Sequence, residues 1–203
     1  MYVPPSFAAS DLPQLHAAIE RYSFALIISR QDDRLVASHL PLLLDRQAGR
    51  SGTLWGHFAR ANPQWREAGG QEVLVVFSGP HAYISPQWYQ AERVVPTWNY
   101  VAVHAYGQLE LIDDPRETLA LLERTVSHYE AAQPQPWKLA DQPPEFIEQL
   151  ARQIVAFRIP IERLEGKWKL NQNHPAERRE RVVAALEAAG GTDEQEIARL
   201  MRT

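Results

Sequence analysis

Cysteine is absent from this chain of 203 residues, which removes disulfides and thiolate metal sites and makes the cytoplasm the default compartment. No apolar run approaches the length of a membrane-spanning helix, so no membrane partner is expected. The opening segment, MYVPPSFAASD, lacks a basic region followed by an apolar stretch and does not read as a signal peptide. Positive charge is also scarce. There are 21 Lys and Arg against 25 Asp and Glu, a net charge of −4, so a DNA partner would need a local basic patch. Repeats and low-complexity tracts are missing. No glycine fingerprint follows a strand, which leaves a Rossmann or P-loop nucleotide site unsupported. Ser78-Gly79 and Ser85-Pro86 lack a nucleophile elbow, and Asp32-Asp33 and Asp113-Asp114 fall in turns, where Asp is common for backbone reasons. No catalytic residue is assigned.

What is present begins with helix punctuation. Asp11 with Gln14, and Asp114-Pro115 with Glu117, read as capping boxes that open helices. Leu12, Leu15, Ile19 and Tyr22 follow the first at helical spacing, and Leu119, Leu122, Val126 and Tyr129 the second. Phe24–Ser29 and Leu35–Leu44 predict a hairpin around Gln31-Asp32-Asp33, with Gly52–Phe58 as a third strand. Val73–Phe77 and Ala82–Ser85 predict two strands separated by a break at Gly79-Pro80. Val94–Ile112 predicts a long bent strand, Pro144–Gln153 a helix, and Ile154–Ile161 the last core strand. Two polar helices, 176–189 and 193–202, are split by Gly190-Gly191, with Thr192 and Gln195 capping the second. Short strands with peripheral helices favour a closed antiparallel barrel over a βαβ sheet. The expected organisation is a mainly β domain over 1–175 and a helical tail over 176–203 packed on it.

Between Val73 and Gly107 stand His81, Tyr83, Trp88, Tyr89, Trp98, Asn99, Tyr100, His104 and Tyr106. A plain sheet core would use Val, Ile and Leu there. Rings mixed with imidazoles and an amide suggest a surface for a flat, polar-edged ligand. Strand alternation puts Trp98 and Tyr100 on one face and Asn99 on the other. Trp98 is suited to cover a ring and Asn99 to read its edge, although dimer packing would use the same aromatics. Asn62-Pro63 reads as a helix start whose free N–H groups and dipole, with Arg60 nearby, could hold a phosphate; a simple cap is the alternative. Ser38, His39 and Leu40 lie on a strand where only one of Ser38 and His39 can face a given ligand. His57, His81 and His104 lack the close spacing of a zinc site, and no metal is expected.

Six motifs run in order through most of the chain: MYVPPSF at 1–7, ASHLPLLLD at 37–45, GHFARANPQW at 56–65, GPHAYISPQWY at 79–89, VPTWNYVAVHAYG at 95–107 and KWKLNQN at 167–173. They resemble the PaiB-type FMN-binding negative transcriptional regulators, a branch of the flavin split-barrel proteins related to pyridoxamine phosphate oxidase. That resemblance implies a six-stranded antiparallel split β-barrel, a homodimer and FMN at the subunit interface. It places the FMN phosphate in the loop Arg60-Ala61-Asn62, and the flavin ring beside Ser38, His39 and Leu40, with His57 at its edge. It also implies cofactor contacts from Trp98, Asn99, Lys169 and Gln172, while Lys167 reads as part of a solvated loop. Asn171 departs from the serine more usual in the last motif.

Two rivals stay open. A flavin reductase or oxidase of the split-barrel type would need only access to the ring. A haem-binding relative could draw an axial ligand from His39, His57, His81 or His104. Arg178, Arg179 and Arg181 give the tail a basic start, but Glu177, Glu180 and Glu187 dilute it. Val182, Leu186 and Ala189 offer a packing face instead.

Overall fold

The computed structural model describes residues 1–202. Along the chain come β1 (Ala8–Ala9), α1 (Leu12–Arg21), β2 (Phe24–Gln31), β3 (Arg34–Pro41), β4 (Leu43–Asp45), β5 (Thr53–Ala59), α2 (Trp65–Ala68) and β6 (Glu72–Ile84). They are followed by β7 (Thr97–Gln108), β8 (Glu110–Leu111), α3 (Pro115–Glu130), α4 (Pro144–Ala151), β9 (Ile154–Pro160), β10 (Arg163–Lys169), α5 (Ala176–Ala189) and α6 (Thr192–Arg202). The expected class holds: antiparallel β with helices around it. No helix among the described residues is long and apolar enough to cross a membrane.

The chain divides into two compact units. Unit one takes Met1–Tyr22, Phe77–His104 and the chain from Glu165 onward; unit two takes Ser23–Val76 and Ala105–Leu164. In unit one the strand order is β1-β10-β7-β6, with Ala8 opposite Lys167 and Ala9 opposite Gly166. α1 opens on Asp11, whose carboxylate accepts from the Gln14 N–H at 3.0 Å, and it buries Leu15, Ala18 and Ile19. The tail helices belong to this unit and bury Val182, Val183, Leu186, Ile197, Ala198 and Met201. Ala189, expected in that packing face, is exposed. Thr192 is already helical, and the Gln195 N–H bonds the Gly191 carbonyl, so backbone rather than the Thr192 side chain opens α6.

In unit two the order β6-β2-β3 forms one sheet edge, and β4-β5-β9-β8 forms a second sheet. β2 alternates Ala25, Ile27 and Ser29 inward, as a strand with one buried face should. α3 begins at Asp114, which accepts from the Arg116 N–H at 2.8 Å, with Pro115 filling the first turn.

Three expectations change. Gly79-Pro80 does not break the chain: β6 is one strand, and only the parity of its buried residues shifts, from Val73, Val75 and Phe77 to Pro80, Ala82 and Ile84. The hairpin partner of β2 stops at Pro41. The Leu42 N–H turns to the Ser23 carbonyl at 2.9 Å, and β4 joins the other sheet. β10 supplies a strand where the sequence suggested a loop.

Gly107 marks the tightest backbone approach in unit two. A Cβ there would collide with the Pro160 carbonyl oxygen, and backbone cannot swing aside as a side chain can. Gly107→Ala is expected to lower unfolding free energy by about 2 kcal/mol in urea denaturation, within the range for overpacking.

Candidate functional site

In unit two a buried glutamine organises the loop that follows β5. Gln64 is 1% exposed. Its Nε2 shares donors among the Ile27 carbonyl (3.3 Å), the Ser29 hydroxyl (3.0 Å) and the Val36 carbonyl (3.3 Å). Its Oε1 accepts from Ser38 Oγ at 2.6 Å, and Ser38 accepts in turn from Asn62 Nδ2 at 2.8 Å. Asn62 Oδ1 closes the ring by accepting from the Gln64 N–H at 3.0 Å. The sequence pointed to Ser38 and Asn62 as ligand contacts. The structure uses both to pin the loop to β2 and β3.

The helix start expected at Asn62-Pro63 shifts. α2 has four residues and starts after Gln64, not at Asn62-Pro63. The Arg60 N–H donates to the Gln153 carbonyl (2.7 Å) and the Asn62 N–H to the Ala59 carbonyl (2.9 Å), and Pro63 has no N–H to give. Two of the loop's main-chain donors are thus committed to internal bonds. The exposed Arg60 guanidinium donates to the carbonyls of Arg152 (2.6 Å) and Ile154 (2.7 Å). Ala61 is exposed in the turn. His39 faces away from Ser38 and stacks on Phe24 with ring centroids 5.9 Å apart, and Leu40 pairs with Ala25. His57 is half-buried; burial lowers its pKa, which keeps the imidazole neutral near pH 7.

Unit one holds a different arrangement. Lys167 and Lys169 lie two residues apart on β10 and so share a face. Lys167 is 7% exposed; it donates to the Tyr2 carbonyl at 3.0 Å and lies 5.5 Å from the centre of the Tyr2 ring and 5.2 Å from that of Tyr100. Lys169 donates to the Thr97 hydroxyl and, at 2.8 Å, to the Trp98 carbonyl. All these acceptors are neutral. Burial, and after it the Lys167 charge, pull the Lys169 pKa down. Beside them Trp98 is 52% exposed, with Tyr83 edge-on at 5.9 Å and His81 at 6.0 Å between centroids. Positive charge held by neutral groups next to open aromatic surface suits an anion carrying a flat ring.

Two expected contacts leave this face. Asn99 occupies the opposite side of β7, is 0% exposed and donates to Met201 Sδ at 3.4 Å. Gln172 spends its amide on its own turn, accepting from the Leu170 N–H at 2.8 Å and donating to the Trp168 carbonyl. Asn171 has its own explanation: its φ is 61°, a left-handed conformation that Asn tolerates, and it donates to Tyr89 Oη at 3.0 Å. Sequence reasoning missed Gln64, for which no local signal exists. It also missed buried Lys167, for which the alternation K-W-K-L was a signal.

Gln64→Leu would strand two hydroxyls and two carbonyls around one site. It is expected to destabilise the protein by about 3 kcal/mol in urea melts, the cost of leaving buried polar groups unmet.

The chain is 33% identical over 204 residues to the protease synthase and sporulation protein PAI 2 of Bacillus subtilis, spanning 99% of this chain and 96% of that one. An uncharacterized protein of Aspergillus fumigatus is 33% identical over 240 residues, covering 94% of this chain and 92% of the relative. In fold the chain resembles the flavocytochrome Anf3 of Azotobacter vinelandii, with a TM-score of 0.58 at 14% identity over 80% of this chain and 69% of that one. It also resembles an FAD and heme binding protein of Mycobacterium smegmatis, with a TM-score of 0.55 at 16% identity over 91% and 80% of the two chains. The model of the family described as "Putative FMN-binding domain" matches residues 1–163, and the chain belongs to that family.

Proposed function

We propose that this chain binds FMN non-covalently through unit one, assembles as a homodimer and acts as a negative transcriptional regulator of the PaiB type. The observation that carries the flavin reading is the lysine pair on β10. Lys167 and Lys169 lean on uncharged acceptors, and a phosphate is the partner that offsets both charges. Trp98 and Tyr83 offer the apolar, π-rich surface that an isoalloxazine ring requires. When bound, FMN supplies reversible electron transfer. The same exposed aromatic surface supports self-association, since Trp and Tyr are favoured where chains meet.

The regulatory half rests on likeness along the whole length to a protein whose name ties it to protease synthesis and sporulation. The basic start of α5 does not strengthen a DNA-reading role: Arg179 donates to the Met201 carbonyl (2.7 Å) and Arg181 to the Tyr89 carbonyl (3.0 Å), so both brace the tail. With a net charge of −4, contact with DNA would have to come from a limited patch or through another protein.

Titration with FMN, followed by flavin absorbance and fluorescence, tests the site. Saturable binding is expected, weakened about tenfold in Lys169→Met by loss of a charge-assisted contact. The pH dependence has a definite sign. Lys169 binds an anion only while protonated, and its pKa lies below the ordinary 10.5, so affinity should fall as pH rises toward that value, earlier than for an unperturbed lysine. Lys169→Met should erase that alkaline limb. Unchanged affinity in the variant removes the site. A mobility-shift assay at low salt with DNA upstream of the chain's own gene tests direct repression, and no retardation counts against it. Bleaching of the bound flavin by NADH would favour an oxidoreductase instead.

A further inference from the structure

Unit two contains a cavity of about 490 Å³, within the usual size range for a small-molecule site. Its apolar wall comes from β8 and the residue after it, β9 and α3, with Leu111, Ile112, Leu119, Ile154 and Val155 among the lining residues. Arg60 is one of the lining residues. Its guanidinium is fixed by two main-chain carbonyls, those of Arg152 and Ile154, which take no charge from it. The Trp65 indole N–H donates to the Arg60 carbonyl at 3.1 Å, which fixes that ring against the same wall. Asp113, Glu148 and Arg152 also line the cavity, so its charged lining is two guanidinium groups and two carboxylates, and no carboxylate among them is bonded to Arg60. Glu148 lies 3.6 Å from Arg152, and Asp113 is exposed ahead of the α3 cap. With Glu148 paired to Arg152, the Arg60 guanidinium keeps N–H groups to offer beside the apolar wall, and a ligand with one anionic end and a hydrocarbon body suits it, provided it lies on the Arg60 side away from Asp113.

We propose that this cavity is a second ligand site, separate from the flavin site of unit one, and that it takes small monocarboxylates with an apolar tail. The carboxylate meets the remaining N–H groups of Arg60, and the tail covers Leu119 and Ile154. The pinned guanidinium loses little side-chain freedom on binding, which favours Arg over a flexible lysine at this place.

Octanoate is the probe and octanol its neutral control, followed by calorimetry and by tryptophan fluorescence in the full chain with and without FMN. Saturable octanoate binding is expected, about tenfold weaker in Arg60→Gln, with octanol weaker than octanoate on the wild-type protein. Leu119→Trp fills the cavity while keeping Arg60, and should block octanoate without changing FMN affinity. Because either variant could disturb folding, each is checked by thermal melting, and wild-type discrimination between octanoate and octanol stands apart from both. Failure to bind octanoate, equal binding of octanol, or binding indifferent to Arg60→Gln overturns the proposal. Competition between octanoate and FMN overturns it differently, by showing that the cavity houses the flavin. In that case Lys169→Met would leave FMN affinity unchanged and the unit-one site would fall as well.

Discussion

Two ammonium groups on one face of β10, neither given a carboxylate by the acceptors that hold it, set the terms for the rest of the site. Strand geometry puts residues two apart roughly 7 Å from each other, and at an effective dielectric of about 20 two like charges at that distance repel by about 2 kcal/mol, less where water reaches them. The surroundings soften this without cancelling it. The Tyr2 and Tyr100 rings present their negative faces to Lys167, while the Thr97 hydroxyl and the Trp98 carbonyl receive Lys169. The Lys169 pKa is lowered first by burial and second by the Lys167 charge, so repulsion is the smaller part of that shift. An anion relieves it, and the aromatic surface next to it favours an anion attached to a ring. Membership of an FMN-binding family and the local electrostatics thus point the same way from independent starting points.

Much of the fold was legible because its signals are local. Asp11 and Asp114 announce α1 and α3 by offering side-chain acceptors to orphan N–H groups, and both do so in the structure. Alternation in β7 correctly separated Trp98 and Tyr100 from Asn99. What that pattern could not say is which side is wet, and Asn99 turned out to be on the dry one. Gly79-Pro80 looked like a break because glycine and proline usually punctuate, yet a strand can carry both when burial changes parity between them. β10 escaped notice because Gly166 and its lysines imitate a polar loop.

In the loop after β5, residues named as ligand contacts bond to one another. Asn62-Pro63 has the chemistry of a helix start, but a sequence does not reveal whether an amide already has an acceptor. Gln64 decides that question from the interior. By filling the polar vacancies of β2 and β3 it draws Ser38 and Asn62 into one hydrogen-bonded ring, and the loop becomes a structural clasp. Arg60 bonds the carbonyls of Arg152, after α4, and Ile154, at the start of β9, and lines the cavity beside them. Residue types had suggested one ligand surface; hydrogen-bond accounting assigns the same residues separate tasks.

The most direct test follows the lysine itself. With Lys labelled at the ε-carbon, NMR titration of Lys169 in the free protein and with saturating FMN reports its proton affinity in each state. A depressed pKa without FMN that rises when FMN is bound is the result expected if phosphate neutralises the pair. A pKa that does not move on flavin binding would contradict the account, because the charge would then have no part in holding the cofactor.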